Sequence, residues 1–298
     1  MSKDPASARF DARGRTRPGR LRRLDAWLLE REGELLREPG RAPVVDLGLG
    51  DEPATTREWL GSLREGGIDA PLIAVEIDPQ RIARARRLAP ELDVRHGGFA
   101  LPIAGRARLV RVMNVLRGYP APRIPGALAK LAASLQIGGL IVEGRTCAYG
   151  HVLTAQLLRR TRRGLWREAL LLSTDFARGF APNLIRDQLP AELHRRGDGG
   201  VAMASFFEHW QHAFGRARER GERDPRTCFV RSAQLLAQDV AGLELDVEAL
   251  AAGHLVWAPA RGLPPGPLST QRSTFPHTTS RVAGGDNPPT PGRIFERG

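Results

Sequence analysis

Two glycines and several carboxylates stand at the ends of apolar runs, an arrangement suited to holding a small polar ligand. Val44-Val45-Asp46-Leu47 runs into Gly48-Leu49-Gly50-Asp51-Glu52-Pro53, and Leu72-Ile73-Ala74-Val75 ends in Glu76 with Asp78 close behind. Glycines in such a turn let backbone N–H groups approach a ligand at a helix N-terminus. A carboxylate ending the neighbouring strand accepts two hydrogen bonds from the hydroxyls of a ribose. Further on, Gly98-Phe99 follows a third short apolar run and offers a flat contact. Asn114 and Tyr119 follow a fourth, where an amide and a phenol orient a second reactant.

These residues need a scaffold that brings strand ends together. Val44–Leu47, Leu72–Glu76, Leu92–Val94, Leu109–Met113 and Leu140–Glu143 read as short buried strands. Helical patterns separate them over Thr55–Arg64, Pro79–Leu88 and Leu128–Leu135, the last stopped by Gly138-Gly139. Ahead of them Leu21, Leu24, Leu28 and Leu35 recur at helical spacing and predict an amphipathic helix on one face of the sheet. Strands alternating with helices predict an α/β fold with a doubly wound, mostly parallel sheet, whose ligands bind at the carboxyl ends of the strands where the strand order reverses.

Beyond Gly144 the rhythm changes. Val152–Leu158 and Trp166–Leu172 read as a hairpin across Arg162-Arg163-Gly164. Helical segments are expected over Asn183–Leu193, Met203–Arg220 and Cys228–Leu236, with Phe206, Phe207, Trp210 and Phe214 as a core stripe, and a last strand over Leu255–Trp257. The expected organisation is a basic arm over 1–20, a ligand-binding α/β domain over 21–176, a helical segment over 177–258 covering the crevice on the substrate side, and a tail over 259–298. That tail, rich in Pro, Gly, Ser and Thr, reads as disordered.

The formal charge is +12, and residues 1–23 carry a net six of it. This arm and a second cluster of Arg159, Arg160, Arg162, Arg163 and Arg167 are candidate contacts for nucleic acid, although charge runs are more often simply solvated. Only Lys3 and Lys130 are lysines, so coding bias toward arginine is a competing explanation. No run is long and apolar enough for a membrane span or a secretory signal, which places the expected protein in the cytoplasm. Cys147 and Cys228 show no metal spacing. His209 and His212 have no identifiable third ligand, so no metal site is expected.

Arg111 lies within a strand expected to be central. An unpaired buried guanidinium is very costly, so Asp46 or Glu143 is its expected partner.

A dinucleotide site calls for GxGxxG. Here Pro53 takes the position of the third glycine, and Asp51 and Glu52 place negative charge where a pyrophosphate would sit, which argues against NAD. The series VVDLGLG, AVEIDP, NVL and IGGLIVEG, over residues 40–145, resembles the motif order of class I (Rossmann-like) S-adenosylmethionine-dependent methyltransferases.

The resemblance implies S-adenosylmethionine as cofactor and in-line methyl transfer to an acceptor that the sequence does not identify. It implies Asp46, Gly48 and Gly50 around the amino-acid end of the cofactor, Glu76 on its ribose with Asp78 as the alternative, and Gly98 and Phe99 beside its adenine. Asn114 and Tyr119 would stand beside the acceptor. Glu52 replaces the family's third small residue, and no carboxylate follows the third strand. Two readings of Asn114 stand side by side, orientation of the acceptor and capping of the loop after its strand. A non-catalytic module of this fold that binds nucleic acid or an acidic protein through its arginines is the alternative function, and a nicotinamide-dependent oxidoreductase the weaker one.

Overall fold

The computed structural model describes residues 17–193 and 198–259. Most of the expected basic arm and nearly all of the expected tail lie outside the described residues. The first helical segment forms as α1 (Arg22–Arg31) and α2 (Gly33–Arg37), interrupted where one helix was expected. Leu24, Trp27, Leu28, Leu35 and Leu36 are buried along it, so the apolar spacing is retained across the break. The carbonyls at the end of α2 converge on Arg108. Its buried guanidinium donates to the oxygens of Leu35, Leu36, Glu38, Gly40 and Ala42, at 2.7–3.3 Å.

From there the chain alternates β1 (Val44–Leu47), α3 (Ala54–Glu65), β2 (Leu72–Glu76), α4 (Pro79–Leu88), β3 (Asp93–His96), β4 (Ala107–Met113), α5 (Ile124–Ala133) and β5 (Leu135–Thr146). Then come β6 (Val152–Thr161), β7 (Gly164–Thr174), α6 (Pro182–Arg186), α7 (Asp198–Glu219), α8 (Pro225–Leu236), β8 (Leu243–Glu244), α9 (Val247–Ala251) and β9 (His254–Trp257). Among the described residues the strands form one nine-stranded sheet in the order β3-β2-β1-β4-β5-β6-β7-β9-β8.

Strands β3 to β5 are parallel neighbours, and β6, β7, β9 and β8 extend the sheet as antiparallel pairs. The parallel half has the Rossmann-like order, reversing between β1 and β4. Gly138-Gly139 falls inside β5 instead of stopping a helix. The β4–β5 register shifts beside it, and Gly138, with φ of 85°, accommodates the irregularity.

Both sheet faces are covered. On one, α1 to α4 pack Trp27, Trp59, Leu63 and Ile82 against Val44, Ala74, Leu109 and Val142. On the other, α5 packs against the parallel strands through Leu128 and Leu131, while Phe206, Phe207, Trp210 and Phe229 of α7 and α8 cover Val152, Leu170, Leu172, Leu255 and Trp257. The aromatic stripe is therefore core, as its spacing predicts. The sequence expects the helices carrying it on the substrate side, over the crevice. They lie on the face of the antiparallel strands, where the large apolar area of β6, β7 and β9 needs burying.

Between these two apolar clusters runs a polar band. Gln156 donates to Glu143 at 2.6 Å and to Glu192 at 2.8 Å, and accepts from Arg167 Nε at 2.6 Å. Burial pushes the Glu143 carboxyl up to about 8, against the opposing Gln156 hydrogen bond.

The second arginine cluster is largely absorbed into this framework. Arg159 pairs with Glu32 and Glu168, Arg160 donates to the Ala132 carbonyl, and Arg167 is buried beside Glu192, which leaves Arg162 and Arg163 exposed at the hairpin turn. No helix of the described residues is long and apolar enough to cross a membrane.

Candidate functional site

The switch between β1 and β4 opens at the carboxyl edge of the parallel strands, and most of the expected site residues gather there. After β1 the chain turns through Gly48 and Gly50, with φ of 91° and 71°, a left-handed backbone that favours glycine at both positions. A Cβ on Gly48 would stand 2.6 Å from Val115 Cγ2 in the loop after β4, so the two loops touch across the switch.

Glu76, 4% exposed, closes the other side of the turn. Its Oε1 accepts from the N–H groups of Ile77 at 2.8 Å and Asp78 at 3.1 Å, and its Oε2 accepts from Gly50 N at 3.3 Å. The long Gly50 bond marks Oε2 as the oxygen with acceptor capacity to spare.

Asp78, expected as the alternative to Glu76, takes part in a helix cap. Its carboxylate caps α4, accepting from Gln80 N at 2.8 Å, with Pro79 in the first turn. Asp51, in the acidic turn, pairs with Arg81 of α4 at 3.2 Å.

Asp46 is the partner that the sequence predicts for Arg111. Its carboxylate accepts from Arg111 Nε at 2.9 Å and Nη2 at 2.7 Å, and from the Thr56 hydroxyl at 2.6 Å. Arg111 also pairs with Asp25 of α1 and donates to the Thr55 carbonyl at 3.0 Å. The reason is energetic, because a guanidinium with no exposed surface needs counter-charge within reach, and β1 is the adjacent strand. Asp46 thus ties α3 and β1 to β4, beneath the glycine turn.

Arg111 is ionised. Desolvation works against its charge, but Asp25 and Asp46 together raise its pKa above the usual value. Asp25 shares that one cation with Asp46, and burial pushes it up to about 7.

Asn114, immediately after β4, has φ of 62°. Its Oδ1 accepts from Thr146 N at 3.1 Å, and its own N–H donates to the Gly144 carbonyl at 2.8 Å, so it links the ends of β4 and β5. This supports the capping reading, although the partner is the next strand and not its own loop. An asparagine suits the position because it tolerates the left-handed backbone better than most residues.

Phe99, after β3, and Tyr119, after the 3-10 turn Leu116–Gly118, meet edge to face with centroids 5.2 Å apart. One wall therefore combines a residue expected on the adenine side with one expected on the acceptor side. Burial raises the Tyr119 pKa and the nearby Arg123 lowers it, leaving the phenol protonated at neutral pH.

Ile77 was missed in the sequence. It is 56% exposed directly after Glu76, and a Cβ on Gly98 would stand 3.9 Å from its Cδ1, so the two form an open apolar shelf. Its signal was available, since a large apolar residue between two carboxylates at a strand end has no core to enter.

No family model matches the chain, and no curated protein matches it. Among solved structures it is similar to the N-methyltransferase NodS from Bradyrhizobium japonicum WM9, at 17% identity over 41% of this chain and 66% of that one, with a TM-score of 0.32. It is also similar to CalS10, an amino pentose methyltransferase from Micromonospora echinaspora with bound S-adenosylmethionine, at 18% identity over 58% of this chain and 77% of that one, TM-score 0.33. A pericyclic reaction enzyme matches at 18% identity over 40% of this chain and 30% of that one, TM-score 0.35. The chain thus spans under a third of the length of some structures it resembles. The class that the fold defines on its own geometry is a Rossmann-like α/β protein with a left-handed glycine turn at its switch point.

Proposed function

We propose that this chain binds S-adenosylmethionine at the β1–β4 switch and transfers its methyl group to an acceptor held beside Tyr119. The observation that carries the reading is the Gly50–Glu76 contact, which joins a left-handed glycine turn to a strand-terminal carboxylate at the place where the order of parallel strands reverses. The residues present fit the group. Glu76 Oε2 has acceptor capacity for a ribose hydroxyl, Ile77, Gly98 and Phe99 supply apolar surface for a purine, and the backbone of Gly48 and Gly50 suits the close approach of an amino-acid moiety. The acidic turn, with Asp51 and Glu52, suits a ligand bearing cationic groups better than one bearing a pyrophosphate.

When bound, the cofactor supplies an electrophilic methyl group on sulfur. The chain's own contribution is orientation and exclusion of water. Glu76 holds one end of the site against rotation, Phe99 and Tyr119 wall off solvent on one side, and the Tyr119 hydroxyl offers a hydrogen bond to the second reactant. Asn114 contributes by fixing the loop from which Tyr119 extends.

Calorimetric titration of the full chain with S-adenosylhomocysteine and NAD tests the reading. S-adenosylhomocysteine should bind and raise Tm, and Glu76→Ala should remove most of that rise. Binding of NAD without S-adenosylhomocysteine would overturn it.

A further inference from the structure

Three arginines from distant parts of the chain converge where β4 and β5 end. Arg20 donates through Nη2 to the Thr146 carbonyl at 2.9 Å and through Nε to the Cys147 carbonyl at 3.0 Å. Thr146 is the residue whose N–H holds Asn114. Arg145, its neighbour on β5, donates through Nη1 to the Leu189 carbonyl at 2.9 Å, while its Nε is buried with no hydrogen-bond partner. Arg117, exposed in the turn between Asn114 and Tyr119, makes no hydrogen bond or ion pair to any described residue and is near enough to repel both of the others.

Among the described residues no carboxylate forms an ion pair with any of the three, and Cys147 and Glu143 are the groups whose charge would favour theirs. Arg20 and Arg145 spend their bonds on carbonyl oxygens, which hold the guanidinium groups in place without neutralising them. The flanking carboxylates are engaged elsewhere: Glu192 on Arg167 and Gln156, Glu58 on Gly19 N–H and Arg22, Asp175 on His151. Burial pushes the Glu143 carboxyl, which faces Arg145, up to about 8, so it is mostly protonated at neutrality and offsets little of the arginine's charge. Like charges gathered in a partly desolvated place oppose folding, and an anion entering among them relieves the repulsion.

We infer that the acceptor received at this edge is a small anion, a molecule bearing a carboxylate or a phosphate, held by Arg117 with Arg20 and Arg145 beside it. The donors remaining to it are the whole Arg117 fork, Arg20 Nη1 and Arg145 Nη2. A guanidinium fork matches either oxyanion with two parallel hydrogen bonds. The site flanks Asn114 and leads to Tyr119, so a molecule anchored there by its anionic group presents its remainder to the crevice. This assignment rests on the reading of that crevice as a methyl-acceptor site.

The test is calorimetric titration of the full chain at low salt with phenyl phosphate, benzoate and phenol, with and without S-adenosylhomocysteine. One or both anionic probes should bind saturably and phenol should not, and the tighter of the two identifies the headgroup. Arg117→Gln, an exposed change that leaves the core intact, should weaken binding about tenfold, the loss of one charge-assisted contact, whereas Arg64→Gln on α3 should leave it unchanged.

Absence of saturable binding by both anions, or equal affinity in wild type and Arg117→Gln, would overturn the inference. So would an Arg117-dependent affinity for a short oligonucleotide with none for the small anions. If S-adenosylhomocysteine binds and no Arg117-dependent anion site exists, this inference alone fails. If the anion site is present and S-adenosylhomocysteine does not bind, it is the methyltransferase reading that falls.

Discussion

The Oδ1 of Asn114 accepts a 3.1 Å hydrogen bond from the backbone N–H of Thr146, while Asn114 itself holds φ at 62°. One side chain thereby sets the spacing between the ends of β4 and β5, and with it the path of the loop that carries Arg117 and Tyr119.

Asn114→Ala and Asn114→Gly should therefore differ. Both lose the bond to Thr146, but only alanine also meets the left-handed backbone penalty, so it should be the less stable variant by about 1 kcal/mol. Urea denaturation measures this. Equal stability of the two would show that the backbone at 114 carries no strain, and a loss of turnover per folded molecule without loss of stability would return Asn114 to the acceptor site.

Arg111 sits between two carboxylates with none of its surface exposed, so truncation leaves Asp25 and Asp46 buried without a cation. Arg111→Ala should cost about 3–5 kcal/mol, the scale for breaking a buried pair from one side. Removal of all three charges in Arg111→Met combined with Asp25→Asn and Asp46→Asn should cost less than the single change. Chemical denaturation of both proteins decides, and a triple variant no more stable than Arg111→Ala would refute the electrostatic account.

Glu143 and Asp25 keep protons in the folded protein to about pH 8 and about pH 7, well above the ordinary carboxylate range. The unfolded chain releases those protons first, so folding is favoured below the ordinary carboxylate pKa. That contribution is lost as pH rises through about 7 and 8. Unfolding free energies at pH 5 and pH 8.5 should show wild type losing stability toward the alkaline end and Glu143→Gln losing less. A parallel pH dependence in the two proteins would remove Glu143 from the explanation.

His254, buried at the start of β9, is lowered to about 4 by desolvation, with Arg23 adding to the effect. The sign is opposite here, because the unfolded chain takes up the proton first. Stability present above the ordinary histidine pKa is lost as pH falls through about 4. His254→Gln should flatten the acid limb of the stability profile below about pH 6.5. An unchanged acid limb would indicate that His254 does not stay neutral in the folded state.

Trp210 is fully buried against Phe180, Phe206, Phe207 and Phe229, and its Nε1 donates to the Ser232 hydroxyl at 3.1 Å. Trp210→Ala should cost about 3–5 kcal/mol and should leave S-adenosylhomocysteine affinity per folded molecule unchanged, since α7 packs on the antiparallel strands away from the switch. Loss of affinity in the folded fraction would restore α7 to the crevice.

Local signals were sufficient for much of this protein. Apolar runs and turn residues placed β1 to β5, the hairpin β6–β7 and the long helix α7, because a strand covered on both faces is apolar throughout and a helix covered on one face is apolar at its own period. The same local chemistry located Gly48, Gly50 and Glu76 at adjoining strand ends, since a parallel order brings the carboxyl ends of neighbouring strands to one edge. What the tertiary structure decided was partnership over long separations. Asp25 stands 86 residues from Arg111, and only the packing of α1 on the sheet brings it there, beside the Asp46 partner that the sequence already predicts. The convergence of Arg20, Arg117 and Arg145, and the seating of α7 and α8 on β6, β7 and β9, likewise depend on which elements become neighbours. Periodicity records that a face is buried, whereas the identity of the surface that buries it follows from strand order, chain length and the need to neutralise charge far along the sequence.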